Sequence, residues 1–392
     1  MAEAVKQLDT EAQNRPRVAT GVLPCQEIED MVANTEISTL LGAIEPDQIQ
    51  PASIDLRLGD FAYPVDSSFL PGRDMEVVRK MKQFDPYVER FKIDLSEGAM
   101  LEKGRVYVVP LLEEVNLKSD VMAFANPKSS TGRLDILTRL ITDEGTAFDQ
   151  VKRGYKGKLY LEIAPRSFSV VVKTGTRLSQ LRFRKSRTTP LQIAGDEWKQ
   201  LLDAGEIVPK GEVRQSAEPG MLEFTVDLRG DGKEGALIGW RARKHTTRID
   251  LERRDYDPLD FWEPIRFRKS SSLILDPDEF YILMTKEAIA VPPDYAAEML
   301  PYDTRAGEFR VHYAGFFDPG FGWDAKTGAG SSRGVLEVRS HEVPFLLEHG
   351  QTVGWLRYER MAARPARLYG QEGSGSNYQH QSLKLAKQFL SR

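Results

Sequence analysis

At 392 residues the chain exceeds the usual span of one hydrophobic core, so more than one domain is expected. With 41% hydrophobic and 29% charged residues it has a globular composition. No apolar run approaches the roughly 18 residues of a membrane span, and the opening MAEAVKQLDTEAQNRPR lacks a secretory core, so a soluble, cytoplasmic protein with no membrane partner is expected. The net charge of −4 weighs against nucleic acid as a partner, and the single cysteine, Cys25, excludes an internal disulfide and any Cys-rich metal site.

In chain order, residues 1–20 read as a loose arm, and QEIEDMVANTEI has the apolar spacing of a helix. A strand, ASIDLRLGD, follows, then the β-rich runs VYVVPLLEEVNLKSD, GKLYLEIAP, FSVVV and RLSQLRFRK. Past residue 189 the order recurs: the helix DEWKQLLDAGEI, then FTVDLRGDG, FYILMTKEAIAVPPD and RGVLEVRSHEVPFLLEHGQTVGWLRYER. Asp55 pairs with Asp227 at an offset of 172, Asp120 with Asp294 at 174, and Glu162 with Glu337 and Gly175 with Gly350 at 175. Four segments in one order with nearly constant offset define an internal duplication.

The expected organisation is therefore an arm (1–20), a first repeat (21–189), a second repeat (190–369) and a tail (370–392) whose Gly/Ser-rich start leads into a short helix, SLKLAKQFL. Each repeat is expected to be mainly β, a barrel or jelly roll with a few short helices. The basic runs Arg182, Arg184, Lys185, Arg187 and Arg241, Arg243, Lys244, Arg248 read as solvated strand ends, and the five histidines show no metal-ligand spacing.

The strings PKSSTGR (127–133), TAFDQVKRGYKGKLYLE (146–162) and the G-x-x-x-x-Q-L-x-F strand (175–183) together resemble the core of the dCTP deaminase and dUTP pyrophosphatase family. PASIDLRLG (51–59) resembles its early strand and RLYGQEGSGSNYQHQ its closing tail. The chain is similar to the long, internally duplicated form of the deaminases. The resemblance implies two tandem dUTP pyrophosphatase-like domains and hydrolytic deamination of dCTP to dUTP and ammonia, in the supply of dUTP and dTTP precursors. It also implies sites between subunits and hence a symmetric homo-oligomer. dTTP as an effector is left open.

Carried over residue by residue, the resemblance implies Glu162 as proton carrier, Ser129 and the Ala147 carbonyl as holders of the attacking water, and Arg133 as a counter-charge. Lys128, Ser130, Thr146, Tyr155, Tyr369, Tyr378, Gln379 and Gln381 would bind substrate. Zinc deaminases use a His and two Cys, which this chain cannot supply, so the water is expected to be activated by a carboxylate. No tightly bound cofactor is expected, only Mg²⁺ accompanying the triphosphate. The chain departs from the family in having Lys128 for an arginine and Asn377 for a lysine, and FDQVKRGY replaces an Asp-Pro-Gly turn that the second repeat keeps at Asp318.

The second repeat has PYDTRAG where the first has PKSSTGR, with Asp303 near the place of Ser129, so Glu162 is the preferred base. The alternative joins the Ser/Arg element of the first repeat to Glu337 and Ala314 of the second. Two other readings stay open. One is a dUTP pyrophosphatase, alone or combined with the deaminase, with Asp149 or Asp318 as base; the other is a non-catalytic nucleotide-binding protein.

Overall fold

The computed structural model describes residues 20–186, 191–208, 220–301, 309–311, 315–324, 332–340, 342–371 and 383–391. The architecture is mainly β in two tandem units, as the sequence implies. The first repeat contains two six-stranded antiparallel sheets, and the second a four-stranded and a five-stranded one. No helix among the described residues is long and apolar enough to cross a membrane.

The duplication holds down to single hydrogen bonds. Glu162, on the Lys156–Pro165 strand, stands opposite Val108, and Glu337, on Ser332–Ser340, stands opposite Ile282 at the matching place. Tyr107 accepts the Glu102 N–H and Tyr281 accepts the Asp276 N–H, each at 3.0 Å. Glu113 accepts the Arg57 N–H and Glu287 the Thr225 N–H. These bonds correct the pairing of the early strands: Gln180 faces Asp55 and Trp355 faces Glu223, so Asp55 matches Glu223, at an offset of 168, rather than Asp227. Gly175 and Gly350 both occupy the third place of a four-residue turn at φ +85° and +80°, a left-handed conformation that a Cβ disfavours. The expected helices form at Cys25–Ala33 and Gly195–Ala204, burying Cys25, Ile28 and Met31 in one and Trp198, Leu201 and Leu202 in the other, the spacing of one helical face.

The repeats share a core. The Ile249–Asp250 strand of the second repeat pairs in parallel with Val170–Val172 of the first, and Phe168 is buried edge-on against Phe261 and Trp262. The C-terminal segment joins this contact rather than forming the helix expected from SLKLAKQFL. Residues 383–391 make a turn, and Phe389 bridges to Tyr256 with its ring 5.5 Å from Phe261 and 6.0 Å from Trp262. Nine residues are too few for a helix to stand alone, and the aromatic pocket recruits Leu385, Ala386 and Phe389 in an irregular conformation. Phe389→Ala is expected to cost about 3 kcal/mol and to expose residues 383–391 to proteolysis, measurable by denaturant unfolding and limited digestion.

The basic run at 182–184 is not a solvated strand end. Arg182 is fully buried, with Nη1 donating to the Ala297 carbonyl at 2.9 Å and Nη2 to Asp318 Oδ1 at 2.8 Å, and Arg184 pairs with Glu298 and Glu359. Its strand docks face-on against the second repeat, whose carboxylates meet each arginine.

Candidate active site at the repeat junction

Ser129–Gly132 forms one helical turn, held by the Lys128 N–H and the Thr131 hydroxyl, which donate to the Leu178 carbonyl at 2.9 and 2.8 Å. The turn leaves Ser129 exposed, buries Ser130 and directs Arg133 inward. Arg133 does not meet Glu162. Its Nε lies 3.9 Å from Glu337 Oε1 in the second repeat, and its Nη1 donates to the Lys384 carbonyl at 2.8 Å. Both side chains of this pair are buried.

Register explains the choice. The Ile136–Thr142 strand pairs with the Glu162 strand so that Arg139 faces Glu162 and Ile136 faces Pro165. Arg133 therefore lies beyond the strand end, in the turn that precedes Ile136 and six residues before Arg139. Arg139 takes the place instead, its Nε donating to Glu162 Oε1 at 2.8 Å while its guanidinium covers the Phe148 ring.

Burial pushes the Glu337 carboxyl up to about 7, with the Arg133 guanidinium pulling the other way. Asp318 is also held above the usual carboxylate range by burial, opposed by Arg182. Asp318 opens the Asp-Pro-Gly turn. Gly320 has φ +95°, and a Cβ there would come within 2.9 Å of Leu368 Cβ and 3.0 Å of the Tyr369 nitrogen. Tyr369 packs on that turn, its N–H donating to the Pro319 carbonyl at 2.8 Å and its ring tilted against Phe321.

Beside the Ser-Ser turn, a pocket of about 160 Å³ gathers Lys128, Ser130, Arg177, Arg254 and Lys387. Lys128 is paired with the buried Asp55. Burial, then the cations Lys128 and Arg254, push Lys387 down to about 8, as expected of an ammonium crowded among like charges. No signal in the sequence marked Lys387 or Arg182; the first stands outside the resembling motifs and the second in a run that looked solvated.

The remaining residues fall elsewhere. Thr146 is exposed and Ala147 half-buried, in the loop between the Ile136–Thr142 strand and Asp149. Asp149 accepts the Leu140 N–H at 2.8 Å and is pushed up to about 7 by burial. Tyr155 closes a backbone turn, its hydroxyl accepting the Asp143 N–H and donating to the Lys158 carbonyl at 2.7 Å. Asp303, Ala314, Asn377, Tyr378, Gln379 and Gln381 lie outside the described residues.

Fold and site define a duplicated β-protein whose two halves close a buried arginine–carboxylate pair between them. The family model for the N-terminal domain of 2'-deoxycytidine 5'-triphosphate deaminase matches residues 19–187, and the model for the C-terminal domain matches 196–389. A dCTP deaminase from Natronomonas pharaonis is 30% identical over 155 residues, 38% of this chain and 73% of that protein. A "dCTP deaminase, dUMP-forming" from Persephonella marina is 28% identical over 167 residues, 42% of this chain and 83% of its own. The crystal structure of 2'-deoxycytidine 5'-triphosphate deaminase from Agrobacterium tumefaciens is 49% identical with a TM-score of 0.80, covering 88% of this chain and 99% of that one. The chain belongs to the dCTP deaminase family.

Proposed function

We propose that the chain hydrolyses the C4–N bond of the cytosine ring of dCTP, giving dUTP and ammonia, at a site composed of Ser129 and Arg133 from the first repeat and Glu337 from the second. The observation that carries this reading is the buried Arg133–Glu337 pair at 3.9 Å, which joins the Ser/Arg element to a carboxylate near neutrality in its pKa. Glu337 takes one proton from water as the oxygen bonds to C4 and passes it to N3; it then carries the second water proton from the C4 hydroxyl to the amine, so that the C4–N bond breaks, C4=O forms and ammonia leaves. Ser129 orients that water, and Arg133 offsets charge on the carboxylate. The cations Lys128, Arg177, Arg254 and Lys387 surround a space fit for a phosphate, with Mg²⁺ carried by the triphosphate. Tyr369 closes the nucleotide side.

Incubation with dCTP, reading ammonia and pyrophosphate separately, tests the reaction; absence of ammonia rejects it. Because the base works ionised, kcat/KM is expected to fall by nearly tenfold per unit as pH drops below about 7, the value to which burial raises Glu337. A flat profile from pH 5 to 8 counts against Glu337 as base. The dUMP-forming relatives and the buried Asp318 favour testing a second step, pyrophosphate release from dUTP, in the same assay.

A further inference from the structure

Glu162, the counterpart of Glu337, opens on a different cleft. Its side chain is 1% exposed; Oε1 is taken by Arg139, whereas Oε2 is buried with no hydrogen-bond partner among the described residues. The cleft, about 660 Å³, lies between the strand edges of the two repeats and is within the range of small-molecule sites. Its rim is cationic: Lys103, Arg105 and Arg166 come from the first repeat and Arg243 and Lys244 from the second. Asp278 and Glu279 are the opposing carboxylates, and Lys244 pairs with Glu279 at 2.7 Å. Among the described residues Lys103 and Arg166 have no carboxylate on them within the cleft.

A buried acceptor with no donor among the described residues, under a cationic rim in which Arg105, Arg243 and Lys244 are ion-paired but Lys103 and Arg166 carry no ion pair among the described residues, is complementary to a small polyanion that also carries an N–H or O–H group. We propose that this cleft is a second, non-catalytic binding site for a nucleoside phosphate, whose base donates to Glu162 Oε2 while its phosphates meet Lys103 and Arg166. Turnover is not expected there, because Arg139 occupies the carboxylate and the second repeat, with PYDTRAG, has no Ser-Ser pair to hold a water. The site does not depend on the proposed reaction; only the choice of probe comes from it.

The test is equilibrium dialysis of the full chain with dTTP, which has no amino group to lose, and with inorganic tripolyphosphate. Lys103→Glu combined with Arg166→Glu is expected to bind one equivalent of dTTP fewer per chain than the wild type while keeping its turnover of dCTP. Glu162→Leu is expected to weaken dTTP at that site by about tenfold and tripolyphosphate hardly at all, since only the nucleotide has a donor for Oε2. Unchanged stoichiometry and affinity for dTTP in the double variant overturn the proposal. If two equivalents bind but no ammonia is ever released from dCTP, the reaction reading fails and this one stands.

Discussion

Glu337→Gln is expected to lower kcat for dCTP deamination by about a hundred- to ten-thousandfold, the span that a positioned general base contributes. The amide fills the same space opposite Ile282 and is neutral, so the buried environment that lifts the carboxyl to about 7 accepts it readily. Binding should survive while the proton transfer is lost. Glu162→Gln costs far less, because Glu162 faces Arg139 on its own sheet and the Ser/Arg turn is engaged elsewhere. Steady-state ammonia release from both variants decides the matter: loss at Glu162 with retention at Glu337 rejects the composite site.

The duplication was legible because identical roles recur at offsets of 174 or 175: the Tyr107 and Tyr281 hydroxyl acceptors, the Glu113 and Glu287 carboxylates and the two left-handed glycines occupy matching places, while the early strands match at 168. Both glutamates and Arg133 were legible as types. Which glutamate Arg133 meets was not, since linear motifs set neighbours along the chain while register sets them in space. Arg133 ends a turn just before the strand whose pairing brings Arg139, six residues on, to Glu162. The tail misled for a related reason: SLKLAKQFL carries helical spacing, yet the aromatic pocket built by Tyr256, Phe261 and Trp262 decides its conformation.

Arg182→Met is expected to lower the unfolding free energy by about 3–5 kcal/mol, the cost of breaking a buried ion pair from one side. The arginine is the centre of the repeat junction. It donates to the Ala297 carbonyl and to Asp318, and its guanidinium lies 4.1 Å from the Phe316 ring centroid, so one side chain fixes three points of the second repeat. Methionine fills the volume but leaves Asp318 buried without its counter-charge, in surroundings that already hold its carboxyl above the usual range. Arg182→Lys should recover little, because a single ammonium cannot span a carbonyl and a carboxylate from a planar fork. Since Asp318 begins the turn against which Tyr369 packs, the same substitution is expected to raise KM for dCTP before it affects kcat. Denaturant unfolding and steady-state kinetics on the two variants test this together: a stability within about 1 kcal/mol of wild type shows that the junction does not rest on Arg182.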